Sequence, residues 1–368
     1  MVDYFFYIFC FLSIYNIKLK GLDSFFYDYM KIENTNSIKG IFVWLIIFCH
    51  KYSYGIYHKY IFPIFVKYLG QKVVSMFLFY SGYGINESIR KKGLIYIKSL
   101  PIKAIILFIK SQIIILLYLI ANIFIFRFDI TLKQYILSFC FKSSLGNSNW
   151  FAFTIIILYL YSYLSFKLFI RNTFFGVIFL NILCFLHIIL VFKYFYPYKI
   201  YAVDNILCFI IGLIYSLKQK YIDKIMMNND ISYFGIFSII ILIYYNTFSK
   251  VNLFIISINN ALFSILVVFL SMKVKFNNDF LKFLNSHSYS IYFLQRLVMW
   301  IVYSKNIFKN SNFIQISFEF TSIFFISSLF DKYTQFIDKL LKNFNIKIEI
   351  NKYIIINNRN IDKNLLIL

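Results

Sequence analysis

The chain has 368 residues, of which 61% are hydrophobic and 14% are charged, and its formal net charge is +23 at pH 7. Because a soluble domain carries about 25% charged residues on a surface that faces water, this composition excludes a soluble fold. The lysines stand singly or in small groups between apolar stretches, as loop charges do that orient membrane helices. The positive charge therefore does not indicate a nucleic-acid partner.

Apolar stretches of about 16–25 residues recur along the whole chain, and each is long enough, or nearly so, to cross the hydrocarbon core of a bilayer. The strands of a membrane β-barrel would alternate in polarity over about 10 residues, and the stretch Ile105–Phe126 shows no such alternation. We therefore predict an all-α fold, a polytopic transmembrane helix bundle of about ten spans. The spans are expected at 40–57, 70–87, 102–126, 149–168, 173–192, 202–217, 233–248, 252–272, 288–304 and 313–330.

Residues 4–15 at the N-terminus are apolar but fewer than a span requires. They lack the basic start and the small-residue cleavage site of a signal peptide, so they form either an eleventh, short span or an interfacial helix. We find no internal repeat. The chain is therefore divided into an N-terminal apolar segment (1–29), a transmembrane bundle (30–332) and a basic cytoplasmic tail (333–368).

The distribution of lysine and arginine predicts which loops face the cytoplasm. If the segment before residue 40 is cytoplasmic, the turns after the second, fourth, sixth and eighth spans lie on the same side, and these turns and the tail are rich in lysine. We expect a multi-pass protein of the cell (cytoplasmic) membrane with both ends of the bundle in the cytoplasm. Five basic residues fall on the other side and weaken the bias: Lys59, Lys67, Arg127, Lys133 and Lys142.

The five cysteines show no paired spacing and mostly lie inside apolar stretches. Such a pattern is neither a disulfide framework nor a set of metal ligands. We therefore expect no metal site, and small core residues at these positions.

An ionisable side chain in hydrocarbon is costly and marks a functional site by default. Lys39 and His50 in the first span are eleven residues apart, which is about three turns of helix. They therefore share one face, about 16 Å apart along the axis, with Lys39 at the cytoplasmic edge. His50 could take a proton from a hydroxyl near neutral pH, or it could be a polar packing residue that hydrogen-bonds a neighbouring helix.

The second span and the region after it contain two further features. Ser81 and Gly82 are small residues, which let helix backbones approach closely, so helix packing explains them. The position of a basic cluster at the cytoplasmic surface suits either anionic lipid headgroups or the phosphates of a nucleotide-like cofactor. The cluster consists of Arg90, Lys91, Lys92, Lys98 and Lys103.

The last two spans each contain an ionisable residue, Arg296 and Glu319. Both lie at a similar depth when counted from the cytoplasmic ends of an antiparallel helix pair, so they could form a buried ion pair. Lys110 and His187 stand alone in the third and fifth spans, where we expect a structural role or snorkelling. Trp150 opens the fourth span at the outer interface, where tryptophan commonly anchors a helix.

Four short motifs occur in order along the chain. A basic residue, ten further residues and a histidine run from Lys39 to His50, in a stretch that begins at Glu33. Phe79-Tyr-Ser-Gly-Tyr83 follows in the second span, Asn149-Trp-Phe151 opens the fourth span, and Ser288-Tyr-Ser-Ile-Tyr292 opens the ninth. In this order and spacing, which cover roughly residues 30–330, the chain resembles the acyltransferase 3 family of membrane-bound O-acyltransferases.

Two departures from the family pattern bear on the site. Many members carry a histidine soon after the Ile-Tyr of the ninth span, where this chain has Gln295. Many also carry paired arginines after the second span, where this chain has Lys98 and Lys103 on either side of Pro101. A lysine contacts phosphate as a point charge and not through a bidentate fork, so these lysines would hold a phosphate less firmly than paired arginines would.

The resemblance implies transfer of an acyl group, most often acetyl from acetyl-CoA, to a hydroxyl of a surface or lipid-linked polysaccharide. His50 would then deprotonate the acceptor hydroxyl or accept the acyl group transiently, and Lys39 would hold the CoA phosphates or neutralise developing charge. The further residues expected to bind acyl-CoA are Arg90, Lys91, Lys98 and Lys103. Those expected to contact the glycan acceptor are Ser81, Trp150, Tyr292, Arg296 and Glu319.

Two other classes of function are alternatives. A transporter or flippase of a lipid-linked sugar would use His50, Arg296 and Glu319 as a transport or proton pathway, although transporters often show internal repeats and broken helices, which we do not find. A glycan polymerase would be expected to expose a large outer loop. The longest loop between the predicted spans has about 20 residues, near 127–148.

Overall fold

A computed structural model of the chain describes residues 2–53, 69–126, 130–195, 203–248, 252–305, 307–308 and 311–365. The fold is all-α, as predicted, and 84% helical. Thirteen α-helices, one π-helical turn and one two-stranded sheet lie within these residues.

The elements follow one another along the chain with short connections. The helices of the first half are α1 (Val2–Ile14), α2 (Ile32–Ser53), α3 (Leu69–Lys92), α4 (Leu94–Ala121, extended by the π-helical Asn122–Phe126), α5 (Leu132–Phe139) and α6 (Asn149–Leu168). Those of the second half are α7 (Thr173–Phe195), α8 (Ile206–Met226), α9 (Asp230–Phe248), α10 (Leu253–Lys273), α11 (Asp279–Ser286), α12 (Ser288–Ser304) and α13 (Asn312–Leu365). The strands are β1 (Lys18–Leu19) and β2 (Val274–Lys275).

Six helical segments are long and apolar enough to cross a bilayer, which supports a multi-pass membrane protein. They correspond to six of the predicted spans, and α6 has the same bounds as the predicted fourth span. Only 6% of the apolar stretch of α9 is buried against the rest of the protein, as expected of a helix that faces lipid. The segments are Leu94–Phe126, Asn149–Leu168, Thr173–Val191, Asp230–Phe248, Leu253–Lys273 and Phe313–Leu341.

The other four predicted spans fall on α2, α3, α8 and α12, which are not among these six segments. The first three of these helices carry several charged side chains, and α12 has only 17 residues. Their side chains form much of the centre of the bundle, for example Phe48 in α2, Phe79 in α3 and Phe293 in α12. The end of the first predicted span, 54–57, lies outside the described residues.

Glycine lets α3 and α8 cross with their backbones in contact. A Cβ atom on Gly82 would lie 2.2 Å from the carbonyl oxygen of Phe209, and a Cβ atom on Gly212 would lie 2.1 Å from that of Phe79. Only glycine fits at so close an approach. The packing role expected of the small residues in the second predicted span therefore holds for Gly82.

The N-terminal segment packs on the bundle. Helix α1 has 13 residues, which is about 20 Å of helix, and is shorter than a hydrocarbon core of about 30 Å. Phe6 and Phe9 of α1 pack against Trp44 of α2, whose indole nitrogen donates to the hydroxyl of Ser13 at 2.9 Å. Strand β1 then pairs with β2 in antiparallel register, which attaches the segment to the connection after α10.

Helix α13 runs without a break across the predicted boundary at residue 332. Its apolar part, Phe313–Leu341, is longer than the predicted span 313–330. The first residues assigned to the tail, 333–341, therefore belong to the same apolar helical segment as the predicted tenth span. Three of the basic residues on the predicted outer side lie outside the described residues: Lys59, Lys67 and Arg127.

The two lone ionisable residues of the third and fifth predicted spans both have polar partners. Lys110 of α4 forms an ion pair with Asp338 of α13 at 2.9 Å. His187 of α7 lies 3.2 Å from the hydroxyl of Tyr161 on α6. Each contact joins two helices, which is a structural role.

Candidate functional site

A cavity of about 550 Å³ lies at the ends of α2 and α3 that are predicted to be cytoplasmic. Its lining contains four lysines and two acidic residues, Glu33 and Glu87, so cationic side chains outnumber acidic ones. The cavity therefore suits an anionic ligand, and we call it the lysine cavity. Its four cationic residues are Lys31, Lys39, Lys91 and Lys92.

Neutral polar groups form part of the wall of the lysine cavity. Tyr83 donates a hydrogen bond to Gln219 Oε1 at 2.7 Å. Tyr80 also lines the cavity, and its hydroxyl is buried without a hydrogen-bond partner among the residues that the structure describes. A buried hydroxyl that lacks a partner costs about 1–3 kcal/mol. Tyr80 therefore adds an unsatisfied polar group to the wall of the cavity.

Arg90 does not line the lysine cavity but pairs with Glu87, which does. Its guanidinium donates to Glu87 Oε1 at 2.7 Å and to the carbonyl oxygen of Ser216 at 3.3 Å. The hydroxyl of Ser216 donates to the same carboxylate at 2.8 Å. Of the residues expected to bind the donor, Lys91 therefore lies in the cavity, whereas Arg90 supports its acidic wall.

Lys98 and Lys103 lie on α4 and are not part of the lining of the lysine cavity. Only Gly93 separates α3 from α4, so the region expected to be a cytoplasmic loop is helical. The ammonium group of Lys103 lies 3.8 Å from the centre of the Tyr96 ring, a cation–π contact within its own helix. Neither of these two lysines therefore lines the cavity together with Lys39.

A second polar site lies around His50, where α2 meets α12. The centre of the His50 ring is 6.3 Å from that of Tyr292, and Arg296 is close enough for its charge to act on the imidazole. Arg296 follows Tyr292 by four residues, so both side chains lie on the same face of α12. The structure brings together three of the predicted site residues at this point, and we call them the histidine site.

The loop before α6 completes the histidine site. Arg296 donates to the carbonyl oxygen of Gly146 at 3.2 Å, and its Nε is buried with no partner in the described part of the chain. Gly146 has a φ of +91°, which favours glycine, and a Cβ atom there would lie 1.8 Å from Trp300. Asn149 holds the loop by donating to the carbonyl oxygen of Ser143 at 2.7 Å.

A smaller cavity of about 170 Å³ adjoins the histidine site and is lined by two predicted site residues, Ser81 and Tyr292. Tyr292 contacts both this cavity and His50. Phe151 lines the same cavity, with its ring centre 5.2 Å from that of Tyr292. Trp150 packs edge-on against Phe151 at 6.0 Å and is not part of the lining.

The ion pair suggested between Arg296 and Glu319 is wrong. Glu319 pairs instead with Lys51, and these side chains are 1% and 0% exposed respectively. Lys51 also donates to the hydroxyl of Tyr303 at 3.2 Å. An equal depth in two neighbouring helices does not determine which face a side chain occupies, and Glu319 lies where α13 meets α2.

Lys51 is a buried ionisable residue that the sequence motifs do not single out, although it follows His50 in the same predicted span. Successive residues of an α-helix point about 100° apart, so Lys51 reaches α13 while His50 faces α12. A second ionisable residue inside a predicted span is the signal that could have identified it.

A further polar group lies at the start of α12. His287 Nδ1 is 2.5 Å from Asp331 Oδ2, which also accepts a hydrogen bond from Ser290 at 2.7 Å. His287 comes just before the Ser288–Tyr292 motif, and Asp331 follows the last residue of the tenth predicted span. Neither position stands out in the sequence, because each lies at the edge of an apolar stretch.

The chemistry of both sites is that of cations, an imidazole and hydroxyl groups. Among the described residues, no group of three or more His, Cys, Asp or Glu side chains could hold a metal ion. Comparisons with models of protein families, with curated proteins and with solved structures found no match.

Proposed function

We propose that the chain is an integral-membrane acyltransferase of the cell membrane that moves an acyl group, most simply acetyl, from acyl-CoA to a hydroxyl of a surface or lipid-linked polysaccharide. One observation carries this proposal: a single helix, α2, contributes Lys39 to the lysine cavity and His50 to the histidine site. The motifs that resemble the acyltransferase 3 family include both residues.

The lysine cavity suits the phosphate-bearing part of acyl-CoA. Lysine ammonium groups bind phosphates as point charges, and four of them line this cavity. Its volume of about 550 Å³ falls within the range of about 300–1,000 Å³ for small-molecule sites. From Lys39 the distance along α2 to His50 is about 16 Å, which the flexible pantetheine arm of CoA would have to cover.

His50 is the residue that we assign to the chemistry. Its imidazole would accept the proton of the acceptor hydroxyl while the hydroxyl oxygen attacks the thioester carbonyl carbon. A C–O ester bond then forms, the C–S bond breaks, and the CoA thiolate leaves and takes up the proton. The guanidinium of Arg296 would stabilise the negative charge that develops on the carbonyl oxygen. In a two-step route, His50 would itself carry the acyl group from the donor to the acceptor.

The proposed reaction also explains why the enzyme would be a membrane-spanning bundle. Acyl-CoA is made in the cytoplasm, whereas the hydroxyls of a surface glycan lie at or beyond the outer face of the membrane. With the lysine cavity at the predicted cytoplasmic end of α2 and His50 near the other end, a donor could enter from one side and its acyl group could leave from the other.

Gene deletion with complementation tests the proposal. Ester-linked acyl groups on the cell-surface polysaccharide are measured in the deletion strain and after complementation with wild type or with His50→Ala. We expect deletion to remove these groups, wild type to restore them and His50→Ala to leave them absent. His187→Ala is the matched control, because His187 also lies within a helix of the bundle and is not one of the three residues of the histidine site.

The outcomes separate the enzyme from its mechanism. Unchanged acylation after deletion would reject the acyltransferase. Full restoration by His50→Ala, at a membrane level equal to that of wild type, would reject the role of His50 while leaving the enzyme in place. Failure of both histidine variants at normal membrane level would assign the loss to packing and not to chemistry.

A transporter or flippase of a lipid-linked sugar is the second candidate function. The buried pair of Lys51 and Glu319 beside His50 favours it, because ionisable residues inside a membrane bundle commonly mark transport or proton pathways. The same deletion strain distinguishes the two functions. Loss of a transporter would stop the polysaccharide from reaching the surface, whereas loss of an acyltransferase would leave the polymer there without its acyl groups.

A further inference from the structure

A buried cluster rich in oxygen atoms lies where α3, α8 and α10 meet, in the half of α3 that is remote from the lysine cavity. Each of its five polar side chains is at most 1% exposed. Three helices therefore direct polar groups to one point of the apolar interior. The members are Ser75 of α3, Asp204 and Asn205 just before or at the start of α8, and Asn260 and Ser264 of α10.

Hydrogen bonds connect the two amide side chains and the carboxyl group in one direction, and the two serine hydroxyls lie against the backbone of Asn260. Asn260 Nδ2 donates to Asn205 Oδ1 at 3.1 Å, and Asn205 Nδ2 donates to Asp204 Oδ1 at 2.7 Å. The hydroxyls of Ser75 and Ser264 lie 3.1 Å apart, and they are 3.4 and 3.1 Å from the carbonyl oxygen of Asn260. The series of donors ends at Asp204, whose Oδ2 is buried and has no hydrogen-bond partner among the described residues.

The carboxyl group of Asp204 requires a positive partner or a proton. No ion pair between residues that the structure describes includes it. The N-terminus of α8, two residues later, offsets only about half a charge. A proton on Oδ2 would be a hydrogen-bond donor with no acceptor among the described residues. A proton on Oδ1 would point at the side-chain N–H of Asn205, which is itself a donor to that oxygen. A cation at Oδ2 avoids both conflicts, because it binds an oxygen and compensates the charge.

We propose that this cluster binds a sodium ion through Asp204 Oδ2 and the neighbouring amide and hydroxyl oxygens. The ligand atoms that these five side chains offer are hard oxygen atoms, which suit alkali and alkaline-earth ions over transition metals. The single carboxylate balances one positive charge, which favours a monovalent ion. The site is independent of acyl transfer at His50, and in a transporter it would hold the coupling ion.

Thermal unfolding of the full chain in detergent micelles tests the site. The apparent melting temperature is measured in sodium chloride and in choline chloride at equal ionic strength. A bound ion stabilises the folded state in a saturable way, and we expect a rise on the order of 2–4 °C at about ten times the Kd for sodium. Asp204→Asn, which keeps the shape and removes the charge, should abolish this rise. Asp279→Asn is the control, because Asp279 is 98% exposed and should keep it.

Two results would overturn the proposal. Equal melting temperatures of wild type in sodium and choline would mean that the start of α8 or a proton balances Asp204. A sodium-dependent rise that persists in Asp204→Asn would place the ion elsewhere. If Asp204→Asn does not fold, Ser264→Ala replaces it, with an expected increase of roughly threefold in the sodium concentration at half-saturation. An unchanged value for Ser264→Ala would then reject the site.

Discussion

Lys51 of α2, the residue after His50, forms an ion pair with Glu319 of α13, and both side chains are buried. Tyr303 of α12 accepts a hydrogen bond from the same ammonium group at 3.2 Å. The surrounding layer is apolar and includes Phe48 and Phe320, whose ring centres are 5.3 Å apart. The pair therefore joins α2, α12 and α13 at the level of the histidine site.

Removal of one partner from this pair should destabilise the protein strongly. Glu319→Leu leaves the Lys51 ammonium group buried without its carboxylate, which costs about 3–5 kcal/mol. The double variant Lys51→Met with Glu319→Leu should recover much of this loss, because apolar residues of similar volume replace buried ion pairs at little cost. The melting temperatures of the three proteins in detergent micelles provide the measurement. A Glu319→Leu variant as stable as wild type would contradict the prediction.

Gly146 should not tolerate a side chain. Its φ of +91° and the 1.8 Å separation between an added Cβ atom and Trp300 both oppose alanine, and the positive φ alone costs about 1–2 kcal/mol. Gly146→Ala should lower the melting temperature and displace the carbonyl group that accepts a hydrogen bond from Arg296. Gly235→Ala is the control, because open space surrounds this helical position, and it should be neutral or slightly stabilising. Equal stabilities of the two variants would contradict the assigned loop geometry.

An ion pair outside the membrane predicts a dependence of stability on pH. Asp28, in the connection before α2, lies 2.7 Å from Lys275 of β2, and the hydrogen bond from Lys275 lowers the pKa of Asp28 below its ordinary value. Because the folded-state pKa is depressed, the stabilisation is present above the ordinary pKa of about 4 and is lost as the pH falls through the folded-state value. Asp28→Asn should therefore lower the melting temperature at pH 7, by an amount that disappears in acid. A difference that grows as the pH falls would contradict this sign.

Hydropathy predicts a membrane helix best where the segment faces lipid. The preference of a side chain for hydrocarbon does not depend on which other residues it packs against. Six predicted spans coincide with apolar helices for this reason. Helices α2, α3, α8 and α12 also form where spans were predicted, but their polar residues face other helices. The contact of Gly82 with Phe209 shows what local pattern omits, since a small residue indicates close packing without naming the partner.

The sequence predicted which residues belong to the candidate site, but it did not predict which of them contact one another. His50, Tyr292 and Arg296 were each expected in a site, and they lie together in the structure. Depth along a helix can be counted from the sequence, whereas the face that meets a neighbour depends on helix crossing. Glu319 was therefore matched to a residue of equal depth, although the crossing of α2 and α13 gives it Lys51.

If acyl-CoA binds in the lysine cavity, Lys39→Met should raise the KM for the donor by roughly tenfold, because it removes one cationic contact to a phosphate. Lys103→Met should have a smaller effect, since Lys103 packs on Tyr96 and does not line the cavity. Lys282→Met is the control, because Lys282 is 42% exposed and pairs with Asp279. Acyl transfer from labelled acyl-CoA in membrane vesicles provides the measurement. A larger rise in KM for Lys103→Met than for Lys39→Met would mean that acyl-CoA binds beside α4 and not in the lysine cavity.

Arg296→Gln should show the opposite kinetic pattern. In the proposed mechanism, Arg296 acts on charge that develops only in the transition state, so its loss should lower kcat by about 10²–10³ and leave the KM for the donor close to that of wild type. Arg296→Lys keeps a charge but not the planar donor group, and it should retain part of the activity. A raised donor KM with an unchanged kcat in Arg296→Gln would contradict the role in the transition state. It would mean that Arg296, held by the carbonyl group of Gly146, binds the donor in the ground state, and that another group stabilises the oxyanion.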